Sequence, residues 1–233
     1  MNFTTTCVYE QNAAAWLDET KRRAFNEGGT SSSKTYSIIQ LLILIAQYAK
    51  SPIIISVVSE TMPHLKRGAI RDFVDLMGDA FEEKRWNKTD KIYFFPSASL
   101  EFFSADEASK LRGGRRDILF LNEANNVAYE SYRELEVRTK RFIFADWNPV
   151  AEFWYHINCL NLDPANAYTH STYMDVKAVL PPEIVAAIEA NKDKDPNWYN
   201  VYGLGLLGKV EGLVYPKFEQ VDIFPPEDSS SSE

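Results

Sequence analysis

The chain has 233 residues, 45% apolar and 13% aromatic, enough to fill one large core or two small ones, and this excludes general disorder away from the ends. Its 25 basic residues against 33 acidic ones leave a net charge of −8, which excludes a surface that coats itself on nucleic acid, because that affinity comes from Lys and Arg displacing counterions; any DNA contact must be local. Cys7 and Cys159 form no CxxC or Cys/His cluster, which predicts reduced thiols and no zinc site, and the opening MNFTTTCVYEQ lacks the basic and apolar segments of a signal peptide.

In chain order, the segment KRRAFNE, residues 21–27, has only Ala24 and Phe25 as apolar members, so no strand is evident there. GGTSSSKT, residues 28–35, follows the phosphate-loop pattern of Gly, four free positions, then Gly-Lys-Ser/Thr, with Ser33 standing where the second glycine belongs. A loop that feeds a helix N-terminus presents backbone N–H groups without helical partners, and these cradle phosphate oxygens. In that reading Gly28, Gly29, Thr30, Ser31, Ser32 and Ser33 line the cradle, Lys34 neutralises the β and γ phosphates, and the Thr35 hydroxyl ligates Mg²⁺. Ser33 is not glycine, so the curl must hold it in a region open to L-residues. The other reading is a Ser-rich N-capping loop with a solvated lysine.

A helix is predicted over 35–50; its apolar run at 38–46 is too short for a bilayer and contains Gln40, so it reads as buried, with no membrane partner. IIISVVSE, residues 53–60, is apolar and β-branched enough for a strand covered on both faces. A helix follows over 62–78, a hairpin over 91–105 around Pro-Ser-Ala-Ser, then buried strands over 117–126 and 141–149 and a weaker one over 168–173. Buried strands separated by helical stretches predict an α/β fold with a mainly parallel sheet between helices. From about residue 176 the chain turns helical, aromatic and glycine-rich, a small lid packed beside the sheet; PPEDSSSSE reads as linker. The expected units are 1–175, 176–218 and 219–233.

DILFLNEA ends abruptly in polar residues, and a nucleotide hydrolase needs such a strand tip beside the phosphates to hold the metal side and position the attacking water. Asn122 and Glu123 occupy it. Asn122 stands where Asp is usual; its amide oxygen can accept from a metal-bound water but brings no charge. With NEGGTSSSKT, KLRGGRRDILFLNEAN, ADWNP with FWYH, and DPNWYNVYGLG with KVEGLVYPKF in order, the sequence resembles the N-terminal ATPase domain of the large subunit of phage terminase, the motor that packages DNA into viral proheads.

That resemblance implies an ASCE-type P-loop NTPase core with a small C-terminal lid, hydrolysing ATP with Mg²⁺ and working on double-stranded DNA as a homo-oligomeric, pentameric ring on the portal, with a small terminase subunit, in the host cytoplasm. Lys34 and Thr35 then bind phosphate and Mg²⁺, Asn122 joins the metal side and Glu123 is the general base. Asn148 resembles the motif that senses the γ phosphate, although an Asn-Pro turn capping a strand reads the same way. Arg112 matches the family's trans-acting arginine finger, with Arg115 and Arg116 left for DNA or the adjacent subunit, and Arg138 to Arg141 as a second basic patch; a solvated basic loop is the alternative. For adenine, Tyr9 and Gln11 are candidates, with Arg22 or Arg23 over the other face, unless this is an exposed N-terminal strand. Asp222, Glu227, Asp228 and Glu233 are too few and too linear for the two-metal nuclease of full-length terminases, so no DNA cleavage is expected. The competing functions are a P-loop ATPase unrelated to packaging, such as a helicase, and a nucleotide-binding scaffold whose site has decayed.

Overall fold

A computed structural model describes residues 4–107, 111, 113–158 and 162–208. Its centre is an eight-stranded sheet in the order β3-β4-β5-β2-β6-β7-β1-β8. The strands are β1 (Arg23–Gly28), β2 (Ile53–Ser59), β3 (Trp86–Asn87), β4 (Ile92–Phe94), β5 (Ala98–Ser104), β6 (Arg116–Leu121), β7 (Thr139–Trp147) and β8 (Asn166–Ser171). From β5 to β8 all pairings are parallel, while β3 and β4 add an antiparallel edge that includes the expected hairpin.

Two cores lie on the two faces, and strand alternation assigns residues to them. Ile118 and Phe120 of β6 and Phe142 and Phe144 of β7 join Ile55 and Val57 on one face, against α2 (Lys34–Gln47) and α4 (Ala69–Met77). Leu119, Leu121, Ile143, Ala145 and Trp147 face the other way, toward α5 (Tyr129–Glu136) and Trp154 of α6 (Trp154–Ile157). This is the double coverage that the apolar runs predict. α2 is wrapped on nearly all sides, with Ser37, Ile38, Ile39, Gln40, Leu41, Leu42 and Ile43 all buried.

β1 exists although its sequence hides it. Its polar members have partners far away in the chain: Asn26 and Asn12 of α1 (Cys7–Leu17) exchange side-chain amide hydrogen bonds of 2.7 and 2.9 Å in a fully buried pair. Arg23 donates to Glu136 at 2.6 Å and to Asp163 at 3.0 Å, and Glu27 accepts from the Trp147 indole at 3.1 Å. A strand whose polar groups are satisfied this way costs little to bury. The helix expected over 62–78 is instead two, α3 (Met62–Arg67) and α4, broken at Gly68, whose φ of −107° and ψ of −105° are not helical.

After β8, a 3₁₀ segment (Tyr173–Val179) opens with a Thr172/Asp175 capping box and leads to α7 (Pro182–Glu189). Tyr173, Val185 and Ile188 form their own small cluster with Leu180, Trp198 and Tyr199. The chain then returns to the sheet: the Tyr202 carbonyl accepts from Thr30 N–H at 2.6 Å, and Gly208 N–H donates to Pro149 at 2.9 Å. No described helix is long and apolar enough to cross a membrane.

Candidate functional site

The site lies where β1, β7 and β6 end, at the carboxyl edge of the parallel strands. β7 stands between the strand that feeds the loop and the strand that ends in Asn-Glu. A cleft of about 750 Å³ opens there, and residues 30–36, Arg71, Asp72, Glu123, Asp146, Asn148 and Tyr202 are among its lining. Its size suits a nucleotide.

Residues 29–33 link β1 directly to α2. Gly28 is forced by packing, because a Cβ there would lie 2.0 Å from the Ser171 carbonyl oxygen. Ser31 and Ser33 curl the backbone with φ of 55° and 62°. Ser33 therefore adopts the left-handed conformation that glycine takes freely and an L-residue takes at a cost of about 1–2 kcal/mol. Its hydroxyl supplies compensation that glycine lacks: it lies 3.1 Å from both Thr6 Oγ and Ser37 Oγ, which are themselves 3.0 Å apart. This triad ties the loop to the segment capping α1.

Lys34 is buried inside the curl. Its Nζ donates to the carbonyls of Gly28 (3.1 Å) and Gly29 (2.6 Å), to Ser32 Oγ (3.1 Å) and to Asn148 Oδ1 (3.1 Å). Burial pushes its pKa down to about 8, against the opposing pull of Asp146 and Glu27. Neutral hydrogen-bond acceptors surround the ammonium, and among the described residues no carboxylate pairs with it directly.

Thr35 opens onto the strand tips. Its hydroxyl donates to Asp146 Oδ2 at 2.5 Å; Asn122 Nδ2 donates to Asp146 Oδ1 at 3.0 Å, and the Glu123 backbone N–H to the same oxygen at 2.8 Å. Asp146 is 2% exposed, and burial raises its pKa while these hydrogen bonds and Lys34 oppose the rise. Glu123 has φ of 53° and an exposed side chain, which accepts from Asn126 Nδ2 at 3.3 Å and lies 3.5 Å from His64 Nδ1. Strain at such a residue fits a position fixed for its side chain's direction.

Among the described residues no group of three or more His, Cys, Asp or Glu side chains could hold a metal alone. The donors that Thr35 and Asp146 group here, a hydroxyl and a carboxylate, are hard oxygens and fit Mg²⁺ shared with substrate phosphates.

Lys34, Thr35, Glu123 and Asn148 are thus drawn from distant segments to the lining of one cleft, with buried Asn122 bonded to Asp146 and Thr35 beside them. Other expected site residues lie elsewhere. Tyr9 sits on helix α1, not a strand, and packs partly buried against the core, while Gln11 is exposed; neither lines the cleft. A neighbouring hollow of about 820 Å³ is lined by Thr4, Thr6, Ser33, Tyr36, Val179 and Leu180, and Tyr9 and Gln11 are not among its residues either. Arg22 donates to the Lys140 and Arg141 carbonyls and Arg23 is held by its carboxylates, at the opposite end of β1 from the loop, so neither can cover an adenine beside it. Arg116 is 2% exposed, donating to Ser56 Oγ at 3.0 Å and the Leu135 carbonyl at 3.2 Å, which removes it from the DNA and finger candidates. Arg112 and the segments 159–161 and 209–233, including Cys159 and KVEGLVYPKF, lie outside the described residues.

Sequence reasoning misses Asp146 and Arg71. Asp146 carries a signal: ADWNP is an acidic tip on an apolar strand, the same pattern that draws attention to Asn122 and Glu123. Arg71 carries none, since a charge within IRDF reads as the solvated side of a helix.

A curled Gly/Ser loop between a parallel strand and a helix, with lysine inside it and polar strand tips across one intervening strand, defines a phosphate-loop nucleotide-binding fold. Solved structures make the likeness particular. The chain superposes on the large terminase of a thermophilic bacteriophage with a TM-score of 0.75 at 16% identity, covering 94% of this chain and 57% of that one. For the same phage protein bound to ADP the TM-score is 0.73. The ATPase domain of the Thermus phage P74-26 large terminase, as a mutant, matches with a TM-score of 0.58 at 14% identity, over 84% of this chain and 92% of that domain. The chain spans a little over half the length of the first of these proteins, and what is shared at these identities is the fold. No family model matches the sequence, and no curated protein does.

Proposed function

We propose that this chain is the ATP-hydrolysing motor domain of a viral DNA-packaging terminase. The observation that carries the proposal is the convergence of Lys34, Thr35, Glu123 and Asn148 on one cleft, with Asn122 bonded to Thr35 beside it, in a fold shared with large terminase ATPase domains.

Bound ATP lays its phosphates along the N–H groups of residues 31–34. Lys34 exchanges the Gly28 and Gly29 carbonyls for β and γ oxygens, whose negative charge makes the contact stronger than the bonds to neutral carbonyls it leaves. Thr35 and Asn122 stand on the Mg²⁺ side; the ion, when bound, neutralises charge developing on the phosphates. Glu123 accepts the proton of the attacking water, with Asn126 and His64 steadying its carboxylate. Asn148 touches the Lys34 ammonium, so any movement of Lys34 toward a γ phosphate reaches β7, Pro149 and, through Gly208, the lid.

The finer assignments rest on the resemblance: Arg112 as a trans-acting finger, a pentameric ring on the portal, double-stranded DNA and a small terminase subunit as partners, the host cytoplasm as location, and no DNA cleavage by this chain. Turnover per chain measured across a concentration series tests the core and the finger together. It is expected to rise with concentration and to lose that rise in Arg112→Ala; a rate per chain independent of concentration and unchanged in Arg112→Ala would refute the trans arrangement.

A further inference from the structure

The residue at the tip of β6 that would carry a charge beside the metal is Asn122, which has none. The carboxylate in reach of Thr35 belongs to the next strand. Leu121 pairs with Ala145 in the parallel register of β6 and β7, so positions 122 and 146 leave the sheet side by side, about one strand spacing of 4.8 Å apart.

The hydrogen bonds fix which group does what. An ionised carboxylate only accepts, so the Asn122 amide must turn its NH₂ toward Asp146, to which it donates at 3.0 and 3.4 Å. The same nitrogen also donates to Thr35 Oγ at 3.4 Å, and the amide oxygen lies on the Gly68 side, 3.9 Å from where a Cβ on that glycine would be. Asn122 thus presents a donor, not an acceptor, where the Thr35 hydroxyl sits. Asp146 does what a metal-side carboxylate must: it accepts the Thr35 proton at 2.5 Å, which leaves a lone pair of the hydroxyl for a cation. Two carboxylates at 122 and 146 would repel each other at this distance, so a neutral amide at 122 is the complement of the charge at 146.

We propose that Asp146 supplies the carboxylate of the Mg²⁺ side of this site, with Asn122 as its positioning residue, the charge having moved one strand across the sheet from β6 to β7. This rests on the nucleotide-binding reading above and assigns the metal side to a residue that reading does not name.

The test is the factor by which saturating Mg²⁺ tightens the affinity for a fluorescent ADP analogue, measured against EDTA. Asp146→Asn should cut that factor about tenfold, and the exchange N122D/D146N, which returns the charge to β6, should restore most of it. Asp72→Asn removes another carboxylate lining the cleft, which has no bond to Thr35, and should leave most of the factor in place. An undiminished factor in Asp146→Asn, or a loss confined to Asp72→Asn, overturns the proposal. If Asp146→Asn does not fold, a folded exchange variant decides: restored Mg²⁺ dependence supports the swap and its absence refutes it. The wild-type chain gives a reading that needs no variant to fold, since Mn²⁺–ADP should show hyperfine coupling to ¹³C-labelled aspartate carboxyl carbon, and none would contradict the assignment. A wild type that binds no ADP even with Mg²⁺ is a different failure, that of the nucleotide-binding reading itself.

Discussion

The two ends of the parallel strands handle charge in opposite ways. At the amino ends, Arg23 is held by Glu136, Asp163 and Asn166, Arg138 by Glu134, and buried Arg116 by Ser56, Leu135 and Gly114, with Ser56 in turn donating to Glu101 at 2.5 Å. At the carboxyl ends, Lys34 is held by carbonyls and hydroxyls, Asp146 by a hydroxyl, an amide and an N–H, and Glu123 stands exposed in a cleft. The difference separates structural charge from reactive charge. A guanidinium fixed by several partners, with carboxylates or buried carbonyls among them, has no capacity left for a ligand, whereas an ammonium held by neutral acceptors gains by exchanging them for phosphate.

Substitutions at the two ends should therefore fail differently. The largest effect is expected from Glu123→Gln, which should reduce ATP turnover by about 10²–10⁴-fold while ATP affinity stays near that of the wild type, because the amide keeps the shape and loses the base. Lys34→Ala should lower turnover on the order of 10²–10³-fold and also weaken ATP binding, with the fold intact by circular dichroism. At the other end, Arg116→Ala should cost about 2–4 kcal/mol of stability in urea unfolding by leaving the Ser56 and Leu135 acceptors short of a donor, while the folded fraction keeps its turnover per site. Loss of turnover without loss of stability in Arg116→Ala would break the comparison.

The pH dependence sharpens it further. Burial holds Lys34 near pKa 8 in the free protein, and a phosphate beside it raises that value, so above about pH 8 binding must take up a proton. The ATP dissociation constant should be flat just below that pH and rise by up to about tenfold per unit above it. The smallest effect is expected from Ser33→Gly. The left-handed backbone is relieved while the hydroxyl contacts with Thr6 and Ser37 are lost, so the two should offset to within about 1 kcal/mol of stability.

What is legible in the sequence follows the same division. β2, β6 and β7 announce themselves as apolar runs because both faces are covered, and the phosphate loop is readable because its chemistry is local. β1 is hidden because Asn26, Arg23 and Glu27 are polar residues whose partners lie more than a hundred positions away or in another helix. Asp146 shows in the sequence only as one more polar strand tip: its meaning depends on sitting beside Asn122, and strand order, not spacing along the chain, puts it there. The basic runs mislead because a run of arginines in sequence does not say which of them turns inward, as Arg116 does.

The central claim is that the cleft at the carboxyl edge hydrolyses ATP through Lys34 and Glu123. The direct measurement is phosphate release from ATP with Mg²⁺ by the wild-type chain at high concentration, with ATP binding measured in parallel for Glu123→Gln. The account predicts turnover in the wild type, and in the variant binding without turnover. Phosphate release that persists undiminished in Glu123→Gln, or a wild type that binds ATP and releases no phosphate at any concentration, would contradict it.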